Sequence, residues 1–212
     1  DDELIKVEEP LGLESFDKIL VSIMAKKIAF GSNHIVIDLP YGEHVKVHNV
    51  KDAEEVKRKF EFLAQKFAVK IKVIIHDTEQ PAGRGIGPLL EARDALMVLE
   101  QNQNRPIDLE QKALHLAGAL LDLCLKDSPI ELSNKINVEF GKGHKWAEYI
   151  LSSGPANLKM QEIITAQGGK SGIIIEELMP AKHTQAVLSK KNATFKKINS
   201  RSVTGIAKIL GA

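Results

Sequence analysis

The sequence predicts an α/β protein with a parallel sheet and flanking helices, and three observations lead to that prediction. Short β-branched runs alternate with stretches that have apolar residues at helical spacing, the connections are short, and Gly and Pro gather in them. A strand, a helix and a second strand in succession form a βαβ unit, whose strands are parallel and whose crossover is right-handed. The composition, 43% hydrophobic and 27% charged over 212 residues, excludes a disordered or fibrous chain.

The first predicted elements make up this βαβ unit and the helix that precedes it. Apolar residues over 16–30 recur at i, i+3, i+4, i+7 and i+8, which is the stripe of an amphipathic helix, and Gly31 is placed to end it. The β-branched run 34–39 predicts a buried strand. A second helix is expected to begin near Asp52, and a second strand to cover 69–75.

The later elements are predicted from the same signals. Residues 80–88 are too rich in Gly and Pro to be regular, so they form a loop that leads into a helix. Three helices are expected after it, over 89–100, 108–126 and 146–166. Apolar residues at 173–175 and 186–188 predict short strands.

We divide the chain into three parts on this basis. Residues 1–30 are expected to be part of a helical domain and residues 31–177 part of the α/β domain. Residues 178–212 are expected to be the start of a C-terminal α+β domain that is cut short.

The overall charge points to no polyanionic partner. The 29 basic and 28 acidic side chains leave a net charge of +1. Residues 178–212 carry seven basic residues and no acidic ones, but their only aromatic residue, Phe195, provides no series of stacking platforms for bases. We therefore expect no nucleic-acid partner, and we keep a nucleic-acid-binding or non-catalytic module as the alternative of another class.

Cysteine content and hydropathy bear on the cellular setting. The single cysteine, Cys124, lies in an apolar run, which excludes an intrachain disulfide and a multi-cysteine metal site. No stretch reaches the roughly 18 apolar residues of a membrane span, and the first residues lack the features of a signal peptide. We expect a cytoplasmic protein without a membrane partner and, because the chain does not begin with Met, a fragment.

Three groups of residues are candidates for chemistry. Ser22 and Lys26 are four residues apart on the first helix, so their side chains project together, although a solvated helix edge is the ordinary explanation for such a pair. The run GRGIGP at 83–88 precedes a helix and could approach an anion, but its spacing matches no phosphate-binding motif, which favours a structural turn. The seven histidines include one i, i+4 pair, His44 and His48, but its segment has no helical pattern, so they are expected to be structural or solvated.

Four motifs then follow one another over most of the chain. They are SIMAKK at 22–27, VIDLPYG at 36–42, QPAGRGIGP at 80–88 with LEARDAL at 90–96, and IITAQGG at 163–169. In order and spacing they resemble the middle and later parts of the thymidine phosphorylase family. They are most similar to the branch that contains archaeal AMP phosphorylases and bacterial thymidine phosphorylase-like proteins, in which the DDxxIxVE pattern of residues 1–8 also occurs.

The resemblance implies a pentosyltransferase that carries out phosphorolysis, in which inorganic phosphate attacks C1′ of the ribosyl group and the base leaves. In that family the serine and lysine matching Ser22 and Lys26 contact the nucleobase, and in the AMP-specific branch a position matching Asp2 lies near the base. The implied ligands are a nucleoside or nucleotide and phosphate as co-substrate, with no cofactor and no metal. The full-length protein is expected to be a homo-oligomer. An AMP phosphorylase is the alternative within the family, and anthranilate phosphoribosyltransferase shares part of the architecture.

The resemblance also implies what the chain lacks. The family's glycine-rich phosphate-binding motif, its second anion loop and the acid or arginine that acts on the base all precede the residue matching Asp1. We therefore expect no catalytic residue in this chain, a phosphate site upstream of it, and no activity of the 212-residue chain alone.

Overall fold

The structure, a computed structural model, describes Val7 and residues 16–179, 181–194 and 196–211. Within these ranges the elements follow one another in a simple order. They are α1 (Phe16–Ala29), β1 (His34–Tyr41), α2 (Val50–Lys66), β2 (Lys70–Asp77), α3 (Pro88–Leu99), α4 (Ile107–Leu125), α5 (Ile130–Phe140), α6 (Gly143–Ser152), α7 (Pro155–Ala166), a 3-10 turn (Ile175–Glu177) and α8 (Ser200–Ile209). No helix in the described ranges is long and apolar enough to cross a membrane.

The two strands form the predicted parallel pair. β1 and β2 pair in register from His34 opposite Lys70 to Tyr41 opposite Asp77, with α2 as the crossover. The N-terminus of α2 is capped by Asn49, whose side chain accepts a hydrogen bond from the Asp52 backbone N–H at 3.0 Å. The α/β fold class and the parallel sheet with flanking helices are thereby confirmed.

One face of the sheet carries the larger hydrophobic core. Alternate residues of β1 point to this face because side chains along a strand alternate between its two sides. They pack with buried residues from α1 and α2, including Phe60, which is 1% exposed. The members of this core are Leu20, Met24, Ile35, Ile37, Leu39, Val47, Ala53, Val56, Phe60, Ala64 and Val73.

The other face of the sheet packs on α4, and polar side chains connect them. Lys112 of α4 donates to the Asp38 carboxylate at 2.7 Å. Beyond the end of α4, Asp127 accepts from His34 at 2.6 Å and from Lys70. β1 is therefore tied at both of its ends to α4 or to the residues just after it, and β2 is tied there at its beginning.

A second, smaller core lies among the helices α3, α4 and α6. Its buried residues are Val98, Leu114, Ala147 and Leu151. Where α4 crosses the start of α6, an added Cβ on Gly118 would lie 2.6 Å from the His144 Cα. The Gly143 backbone N–H also donates to Asp122 at 2.7 Å. The absence of side chains at the two glycines is what lets these backbones approach so closely.

Several predictions for the second half of the chain were wrong. The helix expected over 146–166 is two helices, α6 and α7, because Gly154 takes a left-handed φ of +100° and Pro155 begins a new helix. The helix α5 was not predicted. Residues 173 and 174 have no regular structure, Ile175 begins the 3-10 turn, and residues 186–188 have no regular structure, so neither run is a strand. The described residues beyond 178 contain the helix α8 and no strand.

Replacing Gly118 by Ala is expected to destabilise the fold. The new methyl group would collide with the backbone of His144, and overpacking of this kind costs about 1–3 kcal/mol. Gly205, inside α8, is the matched control because an added Cβ there meets nothing within 4 Å. Urea unfolding should show a lower free energy for G118A and an unchanged or slightly higher one for G205A, since Ala favours a helix in both. Equal stability of the two variants would contradict the close approach of α4 and α6.

Candidate functional site

Ser22 and Lys26 lie on the side of α1 opposite the core. The helix buries Leu20 and Met24. At about 100° per residue, Ser22 lies about 160° around the helix from Leu20, and Lys26 stands in the same relation to Met24. Ser22 is half-buried and Lys26 is exposed. The structure thus brings a hydroxyl and an ammonium group together, one helical turn apart, on the side of α1 away from the sheet.

The C-terminal end of α1 holds Lys26 in a fixed turn of helix. Lys26 and Lys27 are the basic residues of the last turn, where the helix dipole favours positive charge. Gly31 has a φ of +75°, its N–H donates to the Ile28 carbonyl at 2.9 Å, and the Ser32 N–H donates to the Lys27 carbonyl at 3.1 Å. This is a Schellman motif, in which glycine takes the left-handed position. The helix therefore ends where the sequence predicted.

The glycine-rich loop at 83–88 directs its amides to carboxylates of the protein. Asp94, which is 8% exposed, accepts from the Arg84 N–H at 2.6 Å and from the Gly85 N–H at 2.7 Å. Two more loop amides also have carboxylate partners, Gly83 with Asp108 and Gly87 with Glu91. An anion that binds to these backbone amides would first have to displace the carboxylates. The loop is therefore a structural turn, as the spacing of its glycines indicated.

The same loop is anchored to the connection between α3 and α4. The Arg84 guanidinium donates to the Asn104 carbonyl at 2.9 Å. Next to it, Arg105 forms an ion pair with Glu110, which also accepts from Gln101 at 2.7 Å. Burial alone would raise the pKa of Glu110, but the hydrogen bonds from Arg105 and Gln101 outweigh it and hold that pKa below the ordinary value. Glu110 is therefore an ionised, buried anchor of the connection between α3 and α4.

A polar cluster lies at the carboxyl ends of both strands. Asp38 accepts from His76 Nε2 at 2.7 Å and from Lys112 Nζ at 2.7 Å, and His76 Nδ1 lies 3.1 Å from the Thr78 hydroxyl. His76 Nδ1 also lies 3.1 Å from the Asp77 carbonyl, so whether it donates to that carbonyl or accepts from Thr78 depends on the tautomer. Ligand sites of open parallel sheets lie outside the carboxyl ends of the strands. Within this cluster, His76 lies within hydrogen-bond distance of both Asp38 and Thr78.

This cluster was not predicted, because the spacing of the histidines along the sequence does not reveal it. Asp38 lies near the end of the first predicted strand and His76 follows the second, so the predicted parallel pairing already places them at one edge of the sheet. The register between the two predicted strands was therefore the signal that could have revealed the pair of Asp38 and His76.

The remaining predicted residue, Asp2, lies outside the described residues. In the described ranges, no group of three or more His, Cys, Asp or Glu side chains could hold a metal ion. The roles assigned to Ser22, Lys26 and Asp2 stay predictions.

Removing the Asp94 carboxylate is expected to loosen the glycine-rich loop. In Asp94→Ala the partly buried amides of Arg84 and Gly85 lose their acceptor, and leaving such donors unpaired costs up to about 1–3 kcal/mol. Hydrogen exchange at these two amides should become faster and the thermal midpoint should fall. Glu91→Ala removes an exposed carboxylate that accepts from one amide and should have a smaller effect. The same loss in both variants would show that Asp94 does not hold the loop.

Glu110 is expected to contribute stability that acid removes. Because the pKa of Glu110 is lower in the folded chain than in the unfolded chain, its contribution is complete above the ordinary glutamate range and is lost as the pH falls through the lowered value. Urea unfolding of the chain and of Glu110→Gln between pH 7 and pH 3 tests this. The difference in unfolding free energy should be largest at neutral pH and should shrink in acid. A difference that does not change with pH would refute the argument.

The comparisons with known proteins agree with the resemblance seen in the motifs. No family model matches the chain. It is 44% identical over 170 residues, 80% of its length, to a "Putative thymidine phosphorylase" of Albidiferax ferrireducens. Over all 212 residues it is 38% identical to a protein of the same name from Ralstonia nicotianae and 39% identical to one from Legionella pneumophila. The predicted relationship is confirmed, since similarity of this extent along the chain indicates common ancestry.

The relatives are much longer than this chain. The chain spans 30% of the Albidiferax protein, 39% of the Ralstonia protein and 38% of the Legionella protein. The similarity therefore concerns a segment of each relative.

Proposed function

We propose that this chain, which is homologous to a segment of the proteins named putative thymidine phosphorylase, is part of a pentosyltransferase that acts by phosphorolysis. The enzyme would transfer a ribosyl or deoxyribosyl group from a nucleoside to inorganic phosphate and release the base. The observation that carries this proposal is the match to relatives of that name along the whole chain. The position of Ser22 and Lys26 on α1 supports it.

The chemistry of the reaction explains why a hydroxyl and an ammonium group suit it. A phosphate oxygen forms a bond to C1′ while the bond between C1′ and the base nitrogen breaks, and the electron pair of that bond goes to the base. Negative charge therefore develops on the base as it leaves. Donors that meet this charge stabilise the transition state more than the substrate, which is what raises the rate.

In this proposal the chain supplies the nucleobase side of the site. Lys26 would donate to the departing base, and Ser22, one turn earlier on the same rigid helix, would fix its orientation. The phosphate site would lie in another part of the enzyme. That division is supported by the glycine-rich loop, whose amides at Arg84 and Gly85 are already bound to Asp94.

The substrate itself is left open between a nucleoside such as thymidine and a nucleotide such as AMP. In the nucleotide case Asp2 would lie near the base. We expect no cofactor besides the co-substrate phosphate, and we expect the complete enzyme to be cytoplasmic and homo-oligomeric.

A chimera tests the proposed reaction. The matching segment of the Ralstonia nicotianae relative is replaced by this chain, which aligns with it over all 212 residues. The chimera should release free base from at least one compound in a panel of nucleosides and nucleotides, and only when phosphate is present. The 212-residue chain alone should release none. A chimera that unfolds cooperatively but releases no base from any compound would contradict the proposal.

Lys26→Ala in the chimera is expected to impair the reaction without affecting stability. The charge-assisted hydrogen bond to the departing base is worth about 1.5–3 kcal/mol, which corresponds to a loss of about 10- to 150-fold in kcat/KM. Lys66→Ala is the matched control, since Lys66 is also an exposed lysine in the last turn of a helix. Steady-state kinetics and thermal melts of both variants decide the matter. If Lys26→Ala retains the parental rate, or if both variants lose activity equally, Lys26 has no role at the base.

A further inference from the structure

His76 lies where the carboxyl ends of the two strands are held together. It is the second-last residue of β2, and just beyond the strand the Thr78 N–H donates to the Tyr41 carbonyl at 2.9 Å. A Cβ added to Gly42 would lie 2.5 Å from the Thr78 carbonyl oxygen, so the connections that follow β1 and β2 touch through their backbones. His76 therefore belongs to a part of the fold in which the two strand ends are fixed relative to each other.

One ring nitrogen of His76 has a carboxylate as its partner. Nε2 lies 2.7 Å from Asp38 Oδ1, and Lys112 Nζ lies 2.7 Å from the other oxygen of the same carboxylate. Since an ionised carboxylate can only accept, the proton of the hydrogen bond to the ring belongs to Nε2. A neutral His76 ring therefore carries its one proton on Nε2 and has a bare Nδ1.

The other ring nitrogen has two partners, and they make opposite demands. Nδ1 lies 3.1 Å from the Thr78 hydroxyl oxygen and 3.1 Å from the Asp77 carbonyl oxygen. A carbonyl can only accept, whereas a hydroxyl can donate as well as accept. A bare Nδ1 therefore accepts from Thr78, and an Nδ1 that carries a proton donates to Asp77. Because the two distances are equal, the ring can change partner without changing its position.

The ring is surrounded by charges of both signs. Asp38 faces it from β1, and Lys112 of α4 faces Asp38. On β2 itself, Lys72 lies two residues earlier on the same side of the strand, and the Asp77 side chain is exposed. The adjacent carboxylate favours the protonated ring and the two lysines oppose it. Both protonation states are thus compatible with the surroundings of the ring.

We propose that His76 is a proton-operated switch that decides whether the Thr78 hydroxyl can donate to an oxygen of a ligand at the carboxyl ends of the strands. With a neutral ring, the hydroxyl proton is committed to Nδ1. When the ring takes up a proton from solvent, Nδ1 donates to the Asp77 carbonyl and the Thr78 hydroxyl is released to donate elsewhere. Ligand sites of open parallel sheets lie at this edge, and histidine is the side chain that ordinarily changes charge between pH 5 and 8. Acidification therefore adds one hydrogen-bond donor to this edge.

Nitrogen-15 NMR of the histidine side chains tests the first step. The 212-residue chain is titrated between pH 5 and pH 9, with the His76 signals assigned through the backbone. The neutral ring should carry its proton on Nε2 and show a bare Nδ1. A neutral ring that is protonated at Nδ1 overturns the proposal, because Nδ1 then donates to the Asp77 carbonyl at every pH.

Thr78→Val and Thr78→Ser form a matched pair of variants. Valine has the shape of threonine without the hydroxyl, so the neutral ring loses the donor to Nδ1 while the protonated ring keeps the Asp77 carbonyl. In Thr78→Val the pH midpoint of the His76 titration should rise by about 0.4 to 1 pH unit, the equivalent of one hydrogen bond. Thr78→Ser keeps the hydroxyl and should leave the midpoint unchanged. An unchanged midpoint in Thr78→Val, or the same rise in both variants, overturns the proposal.

The change of partner has a signature of its own at the backbone. The carbon-13 resonance of the Asp77 carbonyl should move with the midpoint of the His76 ring, since this carbonyl gains a hydrogen bond only when the ring is protonated. The Tyr41 carbonyl is the control, because it accepts from the Thr78 N–H in both states. An Asp77 resonance that does not follow the ring, or a Tyr41 resonance that follows it equally, overturns the switch. None of these measurements depends on catalysis, so their outcome is independent of the proposed phosphorolysis.

Discussion

The hydrophobic core that β1 shares with α1 and α2 is the packing on which the rest of the described structure depends. Ile35 and Ile37 of the strand share a core with Leu20 and Met24 of the helix. Since side chains of a strand alternate, burying the odd-numbered residues on this face turns Asp38 toward α4. Since residues of a helix recur every 3.6 positions, burying Leu20 and Met24 turns Ser22 and Lys26 away from the sheet. This one apolar core thus orients both candidate polar sites, the pair of Ser22 and Lys26 and the cluster at Asp38.

The elements of this core were the ones that the sequence predicted well. The α1 stripe, the β-branched β1 and β2 and the crossover α2 all bury one regular face, so their periodicity is visible in the sequence. The helix α5 buries only Ile136, while Ile130 is 70% and Val138 90% exposed. No apolar stripe reveals such a helix. The β-branched run at 173–175 has strand propensity but no partner strand in the described structure, so its local preference was overridden.

The candidate sites were predictable to different degrees for physical reasons. The placement of Ser22 and Lys26 follows from local helical geometry, which the sequence carries. The occupied state of the loop amides does not follow from local geometry, because they are bound by Asp94, which lies nine or ten residues away on a different element. Only the fold shows that these amides are occupied. The cluster of Asp38 and His76 depends in the same way on strand register, since the two residues are 38 positions apart in the sequence and meet only because β1 and β2 pair.

The exposure of Lys26 limits what this chain can do by itself. In water, the interaction of an ammonium group with a charge 4 Å away is worth about 1 kcal/mol, against about 4 kcal/mol at the lower effective dielectric near a protein surface. A lysine that stabilises a departing base must therefore be partly shielded from water when the base is bound. Such shielding needs polypeptide on the side of α1 away from the sheet. In the proposed enzyme, Lys26 would therefore be a recognition group whose strength depends on its neighbours.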